Sequence, residues 1–425
     1  MSFLAIAGCK SDPTQPVNNA ITVAVATGSS SLQVNQSVTV TATIRNADGT
    51  VLTDRTVAWS SSNNAIATVT STVVNAVAGT QTTTVQAIAL GSVTISATVT
   101  GGSGTLALTI VAATAVRPQA FIRTQQNGIV PITELSGVTS SYANAINDLG
   151  QVVGSIHIGG VDHAFIWSSS TGMVDIGVLP GFVHANAGWI NNSGVVVGWC
   201  ATQSGLSHAF RWSPATGMID LGVLSGSDES FAYGINSSGQ IVGETYTSST
   251  NIRRPFRWTE AKGMEDIGAL TGDPAAGAYS INDDGLIVGY SATAAYRSGP
   301  VRAIQWTAAG AKTQISDCSG LPCYAAANAI NKSGQVVGTR LNGVFIWTAA
   351  GGPADLGGLP GAQFSEAFSL NDAGQVVGYS LIGLSYRSFL WTSSAGFVDI
   401  GLLPGKTWSV ATAINNLGQI VGYGQ

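Results

Sequence analysis

His184, Asp228, Glu229 and Glu366 are the residues with which this chain could move protons. They stand in the stretches LPGFVHA, SGSDESFA and GAQFSEAF, all bounded by turn formers. Acid–base catalysis needs two such groups side by side with their pKa values pushed apart. No stretch carries a dense polar cluster, so linear order alone does not bring the four together. A second set has a different chemistry. Tyr246, Arg253, Tyr296, Arg297, Tyr386 and Trp408 combine flat rings with hydrogen-bonding groups, a mixture that fits the faces and hydroxyls of sugars or an extended peptide. Together with His184, Asp228, Glu229 and Glu366 they form the candidate ligand-binding set, and no residue is assigned as catalytic.

A third group repeats. His163, His208, Arg254, Arg302 and Arg387 open equivalent segments, while Gln119 and Gly343 break the pattern. Five cations around one face could hold a polyanion. However, Asp175, Asp220, Asp266 and Asp399 follow twelve residues after their cations, and at Gln119 and Pro131 both partners are lost together. Cross-strand pairing is therefore the preferred reading, each exposed pair contributing about 0.2–1 kcal/mol. Asn282–Gly285 (NDDG) has the flavour of a calcium loop but lacks its further ligands, so turn chemistry explains it. Cys318 and Cys323 lie close together in a turn-rich stretch, where a local disulfide is expected; a zinc site would need two more soft ligands. No metal or cofactor is expected.

The elements that position these residues are repeats. A nine-residue core recurs as INDLGQVVG (146–154), INNSGVVVG (190–198), INSSGQIVG (235–243), INDDGLIVG (281–289), INKSGQVVG (330–338), LNDAGQVVG (370–378) and INNLGQIVG (414–422). Asn first and Gly last in its N-x-x-G suit a tight turn ending left-handed, and the apolar pair that follows reads as a buried strand. Three residues before each core stands an alanine, namely Ala143, Ala187, Ala232, Ala278, Ala327, Ala367 and Ala411, as if strands converged there. Between cores lies a second hairpin of the form HAFRWSPATGMIDLGVL (208–224). Each repeat is thus predicted to hold four strands, A and B around the core and C and D in the second hairpin. The six repeat tryptophans, Trp167, Trp212, Trp258, Trp306, Trp347 and Trp391, are expected to pack between repeats; Trp189, Trp199 and Trp408 stand outside the pattern and suit a ligand better.

These residues resemble the HAF repeat of bacterial extracellular proteins over 119–425. Successive copies are 40 to 49 residues apart, the period of propeller blades. The array opens on a C–D hairpin (119–135) and closes on an A–B hairpin (414–425), two halves that would pair into one blade. The expected fold is all-β, with a seven-bladed β-propeller closed by half-blades from its two ends and no free sheet edge. In such a ring the turns of the core lie on one face, and the variable B–C and D–A loops, which carry the candidate residues, lie on the other.

Residues 20–112 alternate apolar and polar in short runs such as ITVAVAT, SVTVTATIRN and SVTISATVT, predicting about seven strands of a β-sandwich. VAWSSSNNAIATV (57–69) and GSVTISATV (91–99) resemble the bacterial immunoglobulin-like group 2 family, which implies a stalk or adhesive module with Trp59 as its aromatic plug. Residues 113–118 form a linker. The opening MSFLAIAGCKSD resembles a bacterial lipoprotein signal ending at a lipidated Cys9, although only eight residues precede that cysteine and none is basic. Residues 1–19 are accordingly read as lipobox and linker.

Bulk composition narrows the partners. Net charge is −5 and only 9% of residues are charged, leaving no basic stripe for a nucleic acid. No apolar run of about 18 residues spans a bilayer, so membrane contact is expected only through the lipid anchor. The expectation is an exported, monomeric, non-enzymatic surface protein binding an extracellular glycan or surface protein. The alternative is a polysaccharide lyase or hydrolase of the propeller type, with His184, Asp228, Glu229 and Glu366 at the channel mouth.

Overall fold

The computed structural model describes residues 20–75, 80–111, 117–295, 299–316, 324–341 and 343–425, with 71–75 described by backbone only. Cys9, Tyr296, Arg297, Cys318 and Cys323 therefore lie outside the described residues. Among the described residues there is no α-helix, and no helix is long and apolar enough to cross a membrane. The chain divides into two compact units, Met1–Val116 and Arg117–Gln425.

The first unit is built from two four-stranded sheets. One runs Thr22–Thr27, Ser37–Arg45, Thr80–Ala87, Ala67–Asn75; the other runs Ser31–Gln33, Gly102–Val111, Gly91–Val99, Ala58–Ser61. Val40, Val85, Ile95 and Leu108 are fully buried between them, as period-two alternation requires. Trp59 packs on both apolar clusters of this unit, the plug expected of it. Among the described residues of this unit the strand count is eight rather than about seven. Ser31–Gln33 is too short to show a pattern, and Thr80–Ala87 hides its pattern by turning Gln81 and Thr83 inward. Gln81 tolerates burial because it accepts from Val57 N at 2.9 Å and donates to Arg55 O.

The second unit holds, among the described residues, seven four-stranded antiparallel sheets. In six of them strands A, B, C and D follow in chain order. The remaining sheet takes D and C from Gly128–Pro131 and Gln119–Thr124, and B and A from Ile420–Gly424 and Ser409–Ile414. Its register sets Gly422 opposite Phe121 and Val421 opposite Ile122, so residues from the two ends of the unit share one ladder. Each A strand neighbours the next, from Val138–Ile146 through His184–Ile190, Glu229–Ile235, Ala275–Ile281, Ala325–Ile330 and Phe364–Leu370 to Ser409–Ile414, which in turn neighbours the first.

Local chemistry sets each A–B hairpin. The turn glycines Gly150, Gly194, Gly239, Gly285, Gly334, Gly374 and Gly418 have φ between 73 and 79°, where a side chain would be strained. The turn asparagine accepts from the backbone four residues on, as Asn147 Oδ1 does from Gln151 N at 2.9 Å. Its Nδ2 reaches sideways to the next sheet: Asn147 to Asn191 O, Asn191 to Asn236 O, Asn236 to Asn282 O, Asn282 to Asn331 O, Asn331 to Asn371 O, Asn371 to Asn415 O and Asn415 back to Asn147 O, all 3.0–3.2 Å. The repeat alanines all have zero exposure. The last glycine of each core faces that alanine, and a Cβ there would stand 1.8–2.1 Å from a strand A carbonyl oxygen. The second hairpin supplies the packing: Phe165, Phe210, Phe256, Phe345 and Phe389 are fully buried, and Trp306 donates from Nε1 to Gly268 O of the neighbouring sheet at 2.8 Å.

Candidate functional site

Every A strand carries a β-bulge immediately after its alanine: the register slips between Ala143 and Ala145, Ala187 and Trp189, Ala232 and Gly234, and likewise in the other four. A bulge leaves one residue unpaired and re-aims its side chain. Those residues are Asn144, Gly188, Tyr233, Tyr279, Asn328, Phe368 and Thr412. The position the fold turns out of the ladder thus varies from glycine to tyrosine among the repeats.

Four of these residues from consecutive sheets, Tyr233, Tyr279, Asn328 and Phe368, line a cavity of about 290 Å³ with Tyr324, Ala326 and Glu366. Tyr233 and Tyr279 meet edge to face, centroids 5.6 Å apart. Glu366 Oε2 accepts from Tyr379 Oη at 3.1 Å. Burial, with Glu366 beside it, holds the Tyr379 phenol above its ordinary pKa, so its proton stays in place. Asn328 spends its amide donors on Ala367 O (2.7 Å) and Thr339 Oγ1 (3.2 Å).

Behind Tyr233 lies a buried ion pair. Glu244, 3% exposed, receives Tyr233 Oη at 3.1 Å, Tyr290 Oη at 3.0 Å and Arg253 Nη1. Gly277 makes room for it: a Cβ there would lie 2.2 Å from Glu244 Oε2 and 2.5 Å from the Tyr290 ring. Burial pushes the Tyr290 phenol above its ordinary pKa, and the Glu244 charge adds to that shift. The Arg253 guanidinium sits over the rings of Phe231 and Tyr246, 5.8 and 5.1 Å from their centroids.

Beyond Glu366 an aromatic chain runs from its sheet to the next. Phe368 and Phe364 touch Tyr379, Tyr379 meets Tyr386 at 5.1 Å, Tyr386 meets Trp408 at 5.9 Å, and Trp408 meets Tyr423 at 5.9 Å. Tyr386 is 40% exposed. Of the residues singled out in the sequence, the structure thus joins Glu366, Tyr386 and Trp408 through Tyr379, and it joins Tyr246 with Arg253.

The rest of the candidate set has other partners. His184 Nδ1 accepts from Asp162 N at 3.2 Å. Asp228 accepts from Ser248 N at 2.7 Å and from its hydroxyl at 2.5 Å, bonds that hold the carboxyl below its ordinary pKa. Glu229 stands opposite Tyr246 at the start of its A strand. His184, Asp228 and Glu366 are therefore each engaged by a different neighbour.

The strand C cations are paired across the hairpin: His163 with Asp175 at 2.7 Å, His208 with Asp220 at 2.8 Å, Arg254 with Asp266 at 3.4 Å and Arg387 with Asp399 at 2.7 Å. Arg302 turns instead to Asp273, and where Gly343 removes the cation, Arg340 supplies one to Asp355 at 2.5 Å. A second cavity, about 420 Å³, lies at the asparagine turns and includes Asp148, Asp283, Lys332 and Asp372. Its Asp148 is already used by Asn192 Nδ2 at 3.0 Å and by Asn416 N at 2.8 Å. No group of three or more His, Cys, Asp or Glu suited to a metal occurs among the described residues.

In the first unit the two-sheet topology comes with a sequence match. Residues 20–110 match the bacterial Ig-like domain (group 2). The Ig-like domain accounts for the whole described part of that unit apart from Val111. No curated protein matches the chain. Among solved structures, the chain is similar to the virginiamycin B lyase of Staphylococcus aureus (11% identity, 72% of this chain and 99% of that one, TM-score 0.45). It is also similar to TolB of Acinetobacter baumannii (9% identity, 79% of this chain and 77% of that one, TM-score 0.37). A third similarity is to domains 4 and 5 of the S-layer protein SbsC (26% identity, 21% of this chain and 51% of that one, TM-score 0.19).

Proposed function

We propose that the chain is a non-enzymatic binding protein of the bacterial surface or periplasm, its Ig-like domain a stalk and its second unit a closed seven-bladed propeller that holds an extracellular glycan. The circle of asparagine side chains and the sheet shared by both ends of the second unit support the closed ring. The resemblance of the repeats to HAF-type extracellular proteins and of Cys9 to a lipidation site supports export and anchoring. One observation carries the binding reading: four bulge residues of consecutive sheets converge with Glu366 on a concave, ring-lined cavity. Such a cavity, mostly aromatic with a few polar groups, is the usual form of a small-ligand site. Tyr386 and Trp408 continue the aromatic surface beyond Glu366 and Tyr379.

Glycan-array binding of the full chain tests the proposal. Tyr279→Ala and Phe368→Ala are expected to weaken a captured glycan at least about tenfold, a loss of roughly 1.4 kcal/mol. Absence of binding to every glycan, or turnover of one that Glu366→Gln abolishes, overturns it.

A further inference from the structure

The cavity has a chemical preference that its shape alone does not reveal. Four rings, Tyr233, Tyr279, Tyr324 and Phe368, line it together with one carboxylate, Glu366. Two of its donor residues, Tyr233 and Asn328, spend their protons inside the protein. The Tyr233 proton goes to Glu244, the Tyr379 proton goes to Glu366 itself, and both Asn328 amide bonds go to the neighbouring backbone and hydroxyl. Glu366 is acceptor-only when ionised, and Asn328 Oδ1 is an acceptor. The face of an aromatic ring carries negative quadrupole potential. Rings and a carboxylate together suit an organic cation, which the rings attract by cation–π interaction and Glu366 by its charge.

We propose that the group held in this cavity is a protonated amine, carried by a free-amino sugar unit of the glycan. This rests on the glycan-binding reading above. An acidic sugar would meet Glu366 and the ring faces with like charge. A neutral or N-acetylated sugar would bring hydroxyls but no charge for the rings to attract.

The discriminating pair is a chitosan oligosaccharide and the chitin oligosaccharide of the same length, which differ only in N-acetylation. Calorimetric titration of the full chain is expected to favour the free-amine oligomer by about tenfold, with the preference fading as pH rises through the amine pKa. Glu366→Gln is expected to remove most of that preference, the free-amine oligomer losing several-fold more affinity than the N-acetylated one. Tyr279→Leu, made as a second variant and checked by thermal melting, is expected to reduce the preference through loss of a ring. Equal affinity for the two oligomers overturns the amine inference and leaves glycan binding standing. Binding of neither, with no other glycan captured, overturns both. Tighter binding of a lysine-rich peptide than of either oligomer overturns the sugar as the source of the amine.

Discussion

Asn415 donates from Nδ2 to the backbone carbonyl of Asn147 at 3.0 Å, across 268 residues of sequence. The same bond joins Asn147 to Asn191 at 3.0 Å, and that pair is separated by only 44 residues. One side chain therefore makes the same contact between adjacent repeats and between the first and last. It makes three further bonds at home: Nδ2 to Gln419 Oε1 at 2.7 Å, and Oδ1 from Leu417 N at 3.1 Å and Gln419 N at 2.9 Å.

Asn415→Ala is expected to cost about 1–3 kcal/mol, because buried backbone groups on two turns lose their partner at once. Asn416→Ala, which gives up two exposed bonds, to Asp148 Oδ2 and from Asp372 N, is expected to cost about 0.5 kcal/mol. Urea unfolding of both variants checks the difference. Deleting 409–425 should be far worse, since it bares the edge of Gln119–Thr124 and leaves that hairpin with no sheet. Loss of cooperative unfolding, or aggregation, is the expected outcome.

Gly243→Ala is expected to disrupt its sheet. The new Cβ would lie 1.9 Å from Phe231 O and 2.8 Å from the buried Phe256 ring, and neither can move without breaking the ladder. A loss of order 3 kcal/mol follows from overpacking at such a contact. Gly181→Ala, where a Cβ meets nothing within 4 Å and only φ of +86° is unfavourable, should cost about 1–2 kcal/mol. Thermal melts of the two variants separate close approach from backbone strain.

Arg253→Ala should destabilise the protein by about 3–5 kcal/mol, because Glu244 stays buried without its cation. Replacing both by leucine should recover much of that loss, as apolar packing substitutes for the pair. A double-mutant cycle in urea measures the recovery. If Arg253 instead served only a ligand, the single variant would unfold like the parent.

Cys200 is fully buried, and burial pushes its thiol from 9.0 up to about 12. The folded state therefore keeps the thiol neutral where the unfolded chain ionises. Its contribution is fully present below about pH 9 and is lost as pH rises from 9.0 toward about 12, with a slope of at most about 1.4 kcal/mol per pH unit. Stability measured against pH for the parent and for Cys200→Ala should diverge in slope only in that alkaline window.

What the sequence determined by itself is local. Asn and Gly at fixed spacing make the same left-handed turn in every repeat, alanine leaves room where inner strands crowd, and paired cations and aspartates twelve residues apart were legible because a hairpin brings them opposite one another. The match of residues 20–110 to the Ig-like domain is equally a matter of strand pattern. The strand Thr80–Ala87 escaped that pattern because its inward Gln81 is satisfied by groups more than twenty residues away. The cavity was legible only in part. Glu366, Tyr386 and Trp408 stood out as polar and aromatic residues expected on loops, although Glu366 and Tyr386 lie in the strands Phe364–Leu370 and Ser385–Thr392, whereas Tyr233, Tyr279, Asn328 and Phe368 sit inside the motif that looked like pure scaffold. The repeat alanine does not by itself announce a bulge: the register slip after it appears only when strands A and B pair. Tertiary structure alone decided that four of these displaced residues, from sheets 40 to 49 residues apart, face one space.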